Sequence, residues 1–132
     1  MPNSLRILVV DDEEIVHRSL RRAQQRGRID AELKDANNGA EALELLSGQP
    51  TDTPIVGVLL DINMPIMDGF EFLSKVRAIA DYDHLKIIML SSSDEPSDYN
   101  RAMKLGADGY QVKNSANSLV EAISRLKEIV GE

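Results

Sequence analysis

The sequence predicts an α/β fold: one parallel β-sheet with helices on both faces. Three observations carry that prediction. Five strand-like runs alternate strictly with five stretches of helical periodicity, the connections between them are short, and the most apolar runs end abruptly on polar residues. Parallel strands need crossovers, and right-handed crossovers place helices outside the sheet, so strands buried on both faces read as continuous apolar runs.

The elements follow in order. Leu5 to Val10 (LRILVV) is a buried strand ending on Asp11 and Asp12. From Glu13 to about Arg26, Ile15, Val16, Leu20 and Ala23 fall at helical spacing with Arg and Gln outside them, and Gly27 closes the helix. Ala31 to Ala36 alternates polar and apolar, as a half-covered strand at a sheet edge does. Asn37, Asn38 and Gly39 turn the chain. Asn38 caps a helix with Ala42, Leu43, Leu45 and Leu46 on one face, and Gly48 with Pro50 stops it. Ser47 to Pro54 is a surface connection. Val56 to Leu60 runs into Asp61, with turn signals Met64-Pro65 and Asp68-Gly69 beyond, so Asp61 is expected exposed at a strand tip. Asp68 or Gly69 begins a third helix with Phe70, Phe72, Leu73, Val76 and Ile79 as its apolar side. Lys86 to Leu90 is a fourth buried strand leading into Ser91-Ser92-Ser93. Asp94, Glu95 and Pro96 open a helix using Ala102, Met103 and Leu105, and Gly106 ends it. Asp108 to Lys113 is the fifth strand. Ser115 to Val130 is the closing helix, with Leu119, Ala122, Ile123, Leu126 and Ile129 on one face. The half-polar second strand suits an edge, and the strands ending on Asp11, Asp61 and Ser91 suit the middle. An order of 2-1-3-4-5 satisfies both, a flavodoxin-like (βα)5 three-layer sandwich.

Length and composition narrow the function. The 132 residues fit a single domain, 1–132, and exclude a second. A net charge of -7 argues against nucleic acid as the direct partner. No apolar stretch is long enough to span a bilayer, and the N-terminus lacks a basic region and a cleavage site, so the chain is expected to be cytoplasmic with no membrane partner. Cysteine is absent, which removes disulfides and thiolate chemistry and leaves oxygen and nitrogen to carry the function.

In the predicted order, Asp11, Asp12 and Asp61 come from adjacent strand tips, Ser91 from the next and Lys113 from the one beyond. Clustered carboxylates repel one another unless a cation neutralises them, and all-oxygen ligands select a hard ion such as Mg²⁺. The Lys113 ammonium and the Ser91 hydroxyl would contact the oxygens of a phosphoryl group on, or next to, Asp61.

The motifs ILVVDDEE, NNGAEALELL, VLLDINMPIMDGFEFL, IIMLSSS and GADGYQVK together cover essentially the whole chain, which resembles a response-regulator receiver domain of two-component signalling. The resemblance implies that Asp61 accepts a phosphoryl group from a histidine kinase or a histidine phosphotransfer protein, forming an acyl phosphate. It further implies that Asp12 and Asp61 bind Mg²⁺ directly, that the Asn63 carbonyl adds a ligand, and that Asp11 acts mainly through water. By the same resemblance Lys113 is the phosphoryl-binding lysine, Ser91 the switch hydroxyl and Tyr110 the switch aromatic, while Asn63 and Ser93 tune loss of the phosphoryl group to water. Phosphorylation is then expected to reshape the surface of the fourth helix, fifth strand and fifth helix for a downstream target or output domain. The chain would be a phosphoacceptor and not an enzyme. One position departs from the family pattern: Asn114 follows the lysine where proline is usual. Receivers joined to helix-turn-helix output domains often carry a polar residue there, which points toward one part of a longer protein. The Lys113-Asn114 bond is expected to be trans, with Asn114 or Ser115 absorbing the turn and Ser115 capping the last helix.

Plainer readings stand beside these. Asp11 and Asp12 also suit the start of a helix, Ser91 an ordinary turn and Tyr110 an amphipathic edge. His17 shares its helix with Arg18, Arg21 and Arg22 and reads as solvated, and His84 falls in a loop, so neither suggests phosphotransfer or metal binding. A Mg²⁺-dependent phosphatase with an aspartyl nucleophile would carry Asp-x-Asp, but Asn63 occupies the second position and cannot move a catalytic proton. A nucleotide or flavin binder would need a Gly-rich loop after the first strand, where Asp11 and Asp12 stand instead. A degenerate receiver serving as a phosphorylation-independent binding module is the rival, against which the presence of Asp11, Asp12, Asp61, Ser91 and Lys113 speaks.

Overall fold

The computed structural model describes residues 5–49 and 54–131. Strand β1 (Arg6–Val10) is followed by α1 (Glu14–Gln25), β2 (Glu32–Ala36), α2 (Gly39–Ser47), β3 (Gly57–Asp61) and α3 (Gly69–Arg77). After a 3-10 turn (Ala80–Tyr82) come β4 (Lys86–Ser91), α4 (Pro96–Lys104), β5 (Gly109–Val112) and α5 (Ala116–Val130). The strands pair in parallel in the order β2-β1-β3-β4-β5, as expected.

Side chains alternate across each strand, so the sheet feeds two cores. Leu8, Val10, Val58, Leu60, Ile87 and Met89 face the layer that contributes Leu46, Phe72, Leu73 and Ala102 from α2, α3 and α4. Ile7, Val9, Leu59, Ile88 and Leu90 face Leu20, Ile123 and Leu126 from α1 and α5. Coverage on both faces explains why these strands carry no alternation in sequence.

The register then sets the site. Val10 lies opposite Ala36 and Leu60, Asp61 opposite Leu90, and Ser91 opposite Val112. The strand ends are therefore nearly level, and the residues at and just past them share one edge. At the other edge Arg77 donates to the Leu85 carbonyl (2.9 Å), the Gly106 carbonyl (3.0 Å) and the Asp108 carboxylate (3.0 Å), which fastens α3 to the starts of β4 and β5.

Asn38 and Ser115 cap their helices as expected, and Asp68 caps α3. Asn38 Oδ1 accepts from the Glu41 amide at 2.9 Å and Asp68 Oδ1 from the Glu71 amide at 2.9 Å, while Ser115 and Ser118 form a reciprocal capping box at the start of α5. Gly106 ends α4 with φ of 104°, a left-handed conformation in which a side chain would be strained. Gly48 stops α2, whereas Pro50 and the next three residues of the predicted surface connection lie outside the described residues. Among the described residues there are no cis peptide bonds, so the Lys113-Asn114 bond is trans. None of their helices is long and apolar enough to cross a membrane.

Two apolar assignments are corrected. Ile15 is 68% exposed, because the buried arc of α1 runs through Val16, Leu20 and Ala23 and Ile15 falls to its solvent side. Ile79 is 41% exposed, because α3 ends at Arg77 and Ile79 leads into the 3-10 turn.

Candidate functional site

Asp11 follows β1 directly, and its amide donates to the Ala36 carbonyl at 3.0 Å, which continues the sheet one residue past the strand. Its carboxylate is fully buried, accepting the Glu13 amide at Oδ1 (2.8 Å) and the Lys113 ammonium at Oδ2 (2.9 Å). Asp12 is exposed and Asp61 closes β3. Each of the three offers a carboxylate oxygen within 4.8 Å of the others.

Asp61 is only 3% exposed, which corrects the expectation of an open strand tip. The chain beyond it folds back: the Gly69 amide donates to the Ile62 carbonyl at 2.8 Å, and α3 starts there against the acid. A Cβ on residue 69 would fall inside contact distance of the Asp61 carbonyl oxygen and 2.9 Å from the Ile62 Cα, so this approach requires glycine.

Lys113 arrives from β5. Its amide donates to the Ser91 carbonyl at 2.8 Å, and its half-buried side chain crosses the end of β4. The ammonium lies 2.9 Å from Asp11, 3.2 Å from Asp61 and 2.7 Å from Glu13.

The electrostatics follow from burial. Desolvation, with the Asp11 carboxylate adding to it, pushes the Asp61 carboxyl up to about 7, and Lys113 offsets only part of that. Burial also raises Asp11, against the Glu13 amide and Lys113, which favour its ionised form. For Lys113, burial alone would lower the ammonium, but hydrogen bonds to Glu13 and Asp11 outweigh it and raise its pKa above the ordinary lysine value.

Ser91, Ser93 and Tyr110 form a second group. The Ser91 hydroxyl is buried and accepts from the Ser93 amide at 3.0 Å, and the Tyr110 hydroxyl donates to the Ser93 carbonyl at 3.0 Å. Ser91 and Tyr110 are thus linked through the backbone of Ser93, and the Tyr110 ring meets Tyr99 of α4 edge-on at 5.7 Å. The Ser93 hydroxyl accepts from the Glu95 amide at 3.1 Å, and Asn63 is exposed two residues beyond Asp61.

Two residues gain importance that the sequence did not give them. His17 is buried, not solvated: Nε2 donates to the Asp11 carbonyl at 2.8 Å and Nδ1 lies 3.0 Å from Asp35, which Arg21 also holds. Its signal was its place beside Val16 and three residues before Leu20, on the rim of the buried arc. Glu13, the third acid of the run after β1, is a partner of Lys113. His84 is exposed in its loop, as expected.

Three clustered carboxylates, two of them buried, are unfavourable together without positive charge, and their oxygens suit a hard divalent cation. A lysine facing the same acids can also hold an anionic group brought to them.

Known proteins give the same picture. The family described as response regulator receiver domain matches residues 7–124. The chain is 35% identical over 127 residues to response regulator MprA of Mycobacterium ulcerans (strain Agy99), covering 96% of this chain and 50% of that protein. It is 36% identical over 126 residues to MprA of Mycobacterium sp. (strain KMS), again covering 96% and 50%. The chain therefore spans about half the length of these curated relatives. Among solved structures, the chemotaxis response regulator CheY4 of Vibrio cholerae superposes with a TM-score of 0.80 at 27% identity, covering 94% of this chain and 99% of that one. With sequence, topology and acidic pocket in agreement, the chain belongs to the response regulator receiver domains, the phosphoaccepting modules of two-component signalling.

Proposed function

We propose that Asp61 is the phosphoacceptor, taking its phosphoryl group from a histidine kinase or a histidine phosphotransfer protein. One observation carries this reading: Asp61 ends the central strand β3, buried beside Asp11 and 3.2 Å from the Lys113 ammonium. In the transfer an Asp61 carboxylate oxygen forms a bond to phosphorus while the phosphorus–nitrogen bond of phosphohistidine breaks, its electron pair returning to the imidazole. Asp11, Asp12 and Asp61, with the Asn63 carbonyl, would hold Mg²⁺. The fit is supported by the all-oxygen donor set and by the upward shift of Asp61 that a cation would relieve. When bound, the ion neutralises charge on the phosphoryl oxygens.

Lys113 gives the new phosphoryl oxygens a cationic partner. Ser91 exchanges the Ser93 amide for one of those oxygens, and Tyr110 follows the loop to which its hydroxyl is bonded, which reshapes the α4–β5–α5 surface read by a downstream protein or output domain. Asn63 and Ser93 tune loss of the phosphoryl group to water. Residues 1–132 act as one receiver domain in the cytoplasm, with neither nucleic acid nor membrane as a direct partner. The domain takes part in its own phosphorylation and dephosphorylation and turns over no separate substrate. After treatment with a small phosphodonor and Mg²⁺, borohydride reduction of the acyl phosphate and peptide sequencing should place homoserine at position 61; homoserine elsewhere overturns the assignment.

A further inference from the structure

Glu13 is the N-cap of α1, yet its side chain makes no capping hydrogen bond. The Asp11 carboxylate receives the Glu13 amide instead, at 2.8 Å, and the Glu13 carboxylate is left to take Lys113 at 2.7 Å. That is shorter than the lysine's contacts with Asp11 (2.9 Å) and Asp61 (3.2 Å). An ammonium has three hydrogens, and here it faces three carboxylates.

These partners are not equal. The Asp11 and Asp61 carboxylates are buried, and a buried carboxylate that loses its cation is costly. The Glu13 side chain is 56% exposed and can return to water at little cost. Oxygens of a phosphoryl group on Asp61 would lie beyond its carboxylate, so a lysine following them leaves the point where the three acids hold it. The contact set to yield is the one with Glu13. Glu13 and Lys113 also line one open groove with Ser92 and Ser115, which puts the pair on the solvent side of the site.

We infer that Glu13 is a positioning residue acting through Lys113: it holds the ammonium in the resting state, competes with the incoming phosphoryl group for it, and thereby slows phosphorylation. The inference rests on the reading of Asp61 as the acceptor. Glu13→Gln keeps the shape and removes the charge. Glu14→Gln is the control, removing an equal charge from the adjacent residue, which pairs with Arg18 and not with the lysine.

With acetyl phosphate as donor and saturating Mg²⁺, Glu13→Gln should accelerate phosphorylation about two- to fivefold, the range an exposed ion pair is worth. Glu14→Gln should leave the rate near that of the parent. In the unphosphorylated protein, the NMR resonance of the Lys113 ammonium should move in Glu13→Gln and stay in place in Glu14→Gln, a signature that a general loosening of α1 would not produce. Equal acceleration by both variants, or an unmoved ammonium resonance in Glu13→Gln, overturns the inference. A parent that takes no phosphoryl group at Asp61 overturns the acceptor reading and the competition with it. A labelled parent whose rate Glu13→Gln fails to raise overturns the competition alone.

Discussion

The Nε2 atom of His17 lies 2.8 Å from the backbone carbonyl oxygen of Asp11, so a buried ring on α1 supports the acidic edge from beneath while its other nitrogen reaches Asp35 of β2 at 3.0 Å. His17→Leu fills the space but leaves both partners without the ring. A buried polar group stripped of its partner costs about 1–3 kcal/mol, and a loss of that size in urea unfolding is expected. An unchanged unfolding midpoint would mean that water replaces the ring and that the contact is dispensable.

Gly69 and Asp61 give a second expectation. An added methyl at position 69 meets backbone, which cannot rotate away, so Gly69→Ala should destabilise by about 1–3 kcal/mol and lower phosphorylation by displacing the acid. Gly48→Ala is the control, since among the described residues its Cβ would meet the Glu44 carbonyl oxygen alone, at an ordinary 3.5 Å. Similar melting temperatures for the two variants would show that the start of α3 shifts without cost.

The ionisation of Asp61 makes stability depend on pH in a defined direction. Its carboxyl is pushed up to about 7 in the folded chain by burial and by Asp11, above the ordinary value of about 3.9. The folded state therefore binds this proton more tightly than the unfolded state, and the group's contribution to stability falls as pH rises from about 4 to about 7, then levels off. Asp11 shifts the same way and reinforces the slope. Without Mg²⁺, the melting temperature of Asp61→Asn should exceed that of the parent by a margin that widens across this window. Mg²⁺ held as proposed would bind the ionised carboxylates, so it should raise the parent's melting temperature more at pH 8 than at pH 5. A margin that narrows with rising pH, or a melt indifferent to Mg²⁺, contradicts this.

Much of this architecture is local in origin and so was legible in the sequence. Strand order followed from which runs lacked alternation, Asp11, Asp12 and Asp61 stand where apolar runs change abruptly to polar, and Lys113 is the basic residue that the strand reading places at the same edge. What stayed hidden depends on approach between distant segments. His17 sits among arginines on its helix, and only the passage of β2 beside β1 brings Asp35 to it. The close approach of the start of α3 to the backbone of Asp61 depends on the chain folding back at Gly69, which composition around the acid does not announce. Glu13 reads as one more helix-start acid until Lys113 reaches it from the far end of the chain.

The most direct measurement is the intact mass of the protein after incubation with acetyl phosphate and Mg²⁺. The parent should gain one phosphoryl group, and chelation of the metal or Asp61→Asn should each abolish the gain, because the proposed acceptor and the proposed cation site share that carboxylate. Labelling of Asp61→Asn to the same extent as the parent would place the acceptor elsewhere and contradict the account.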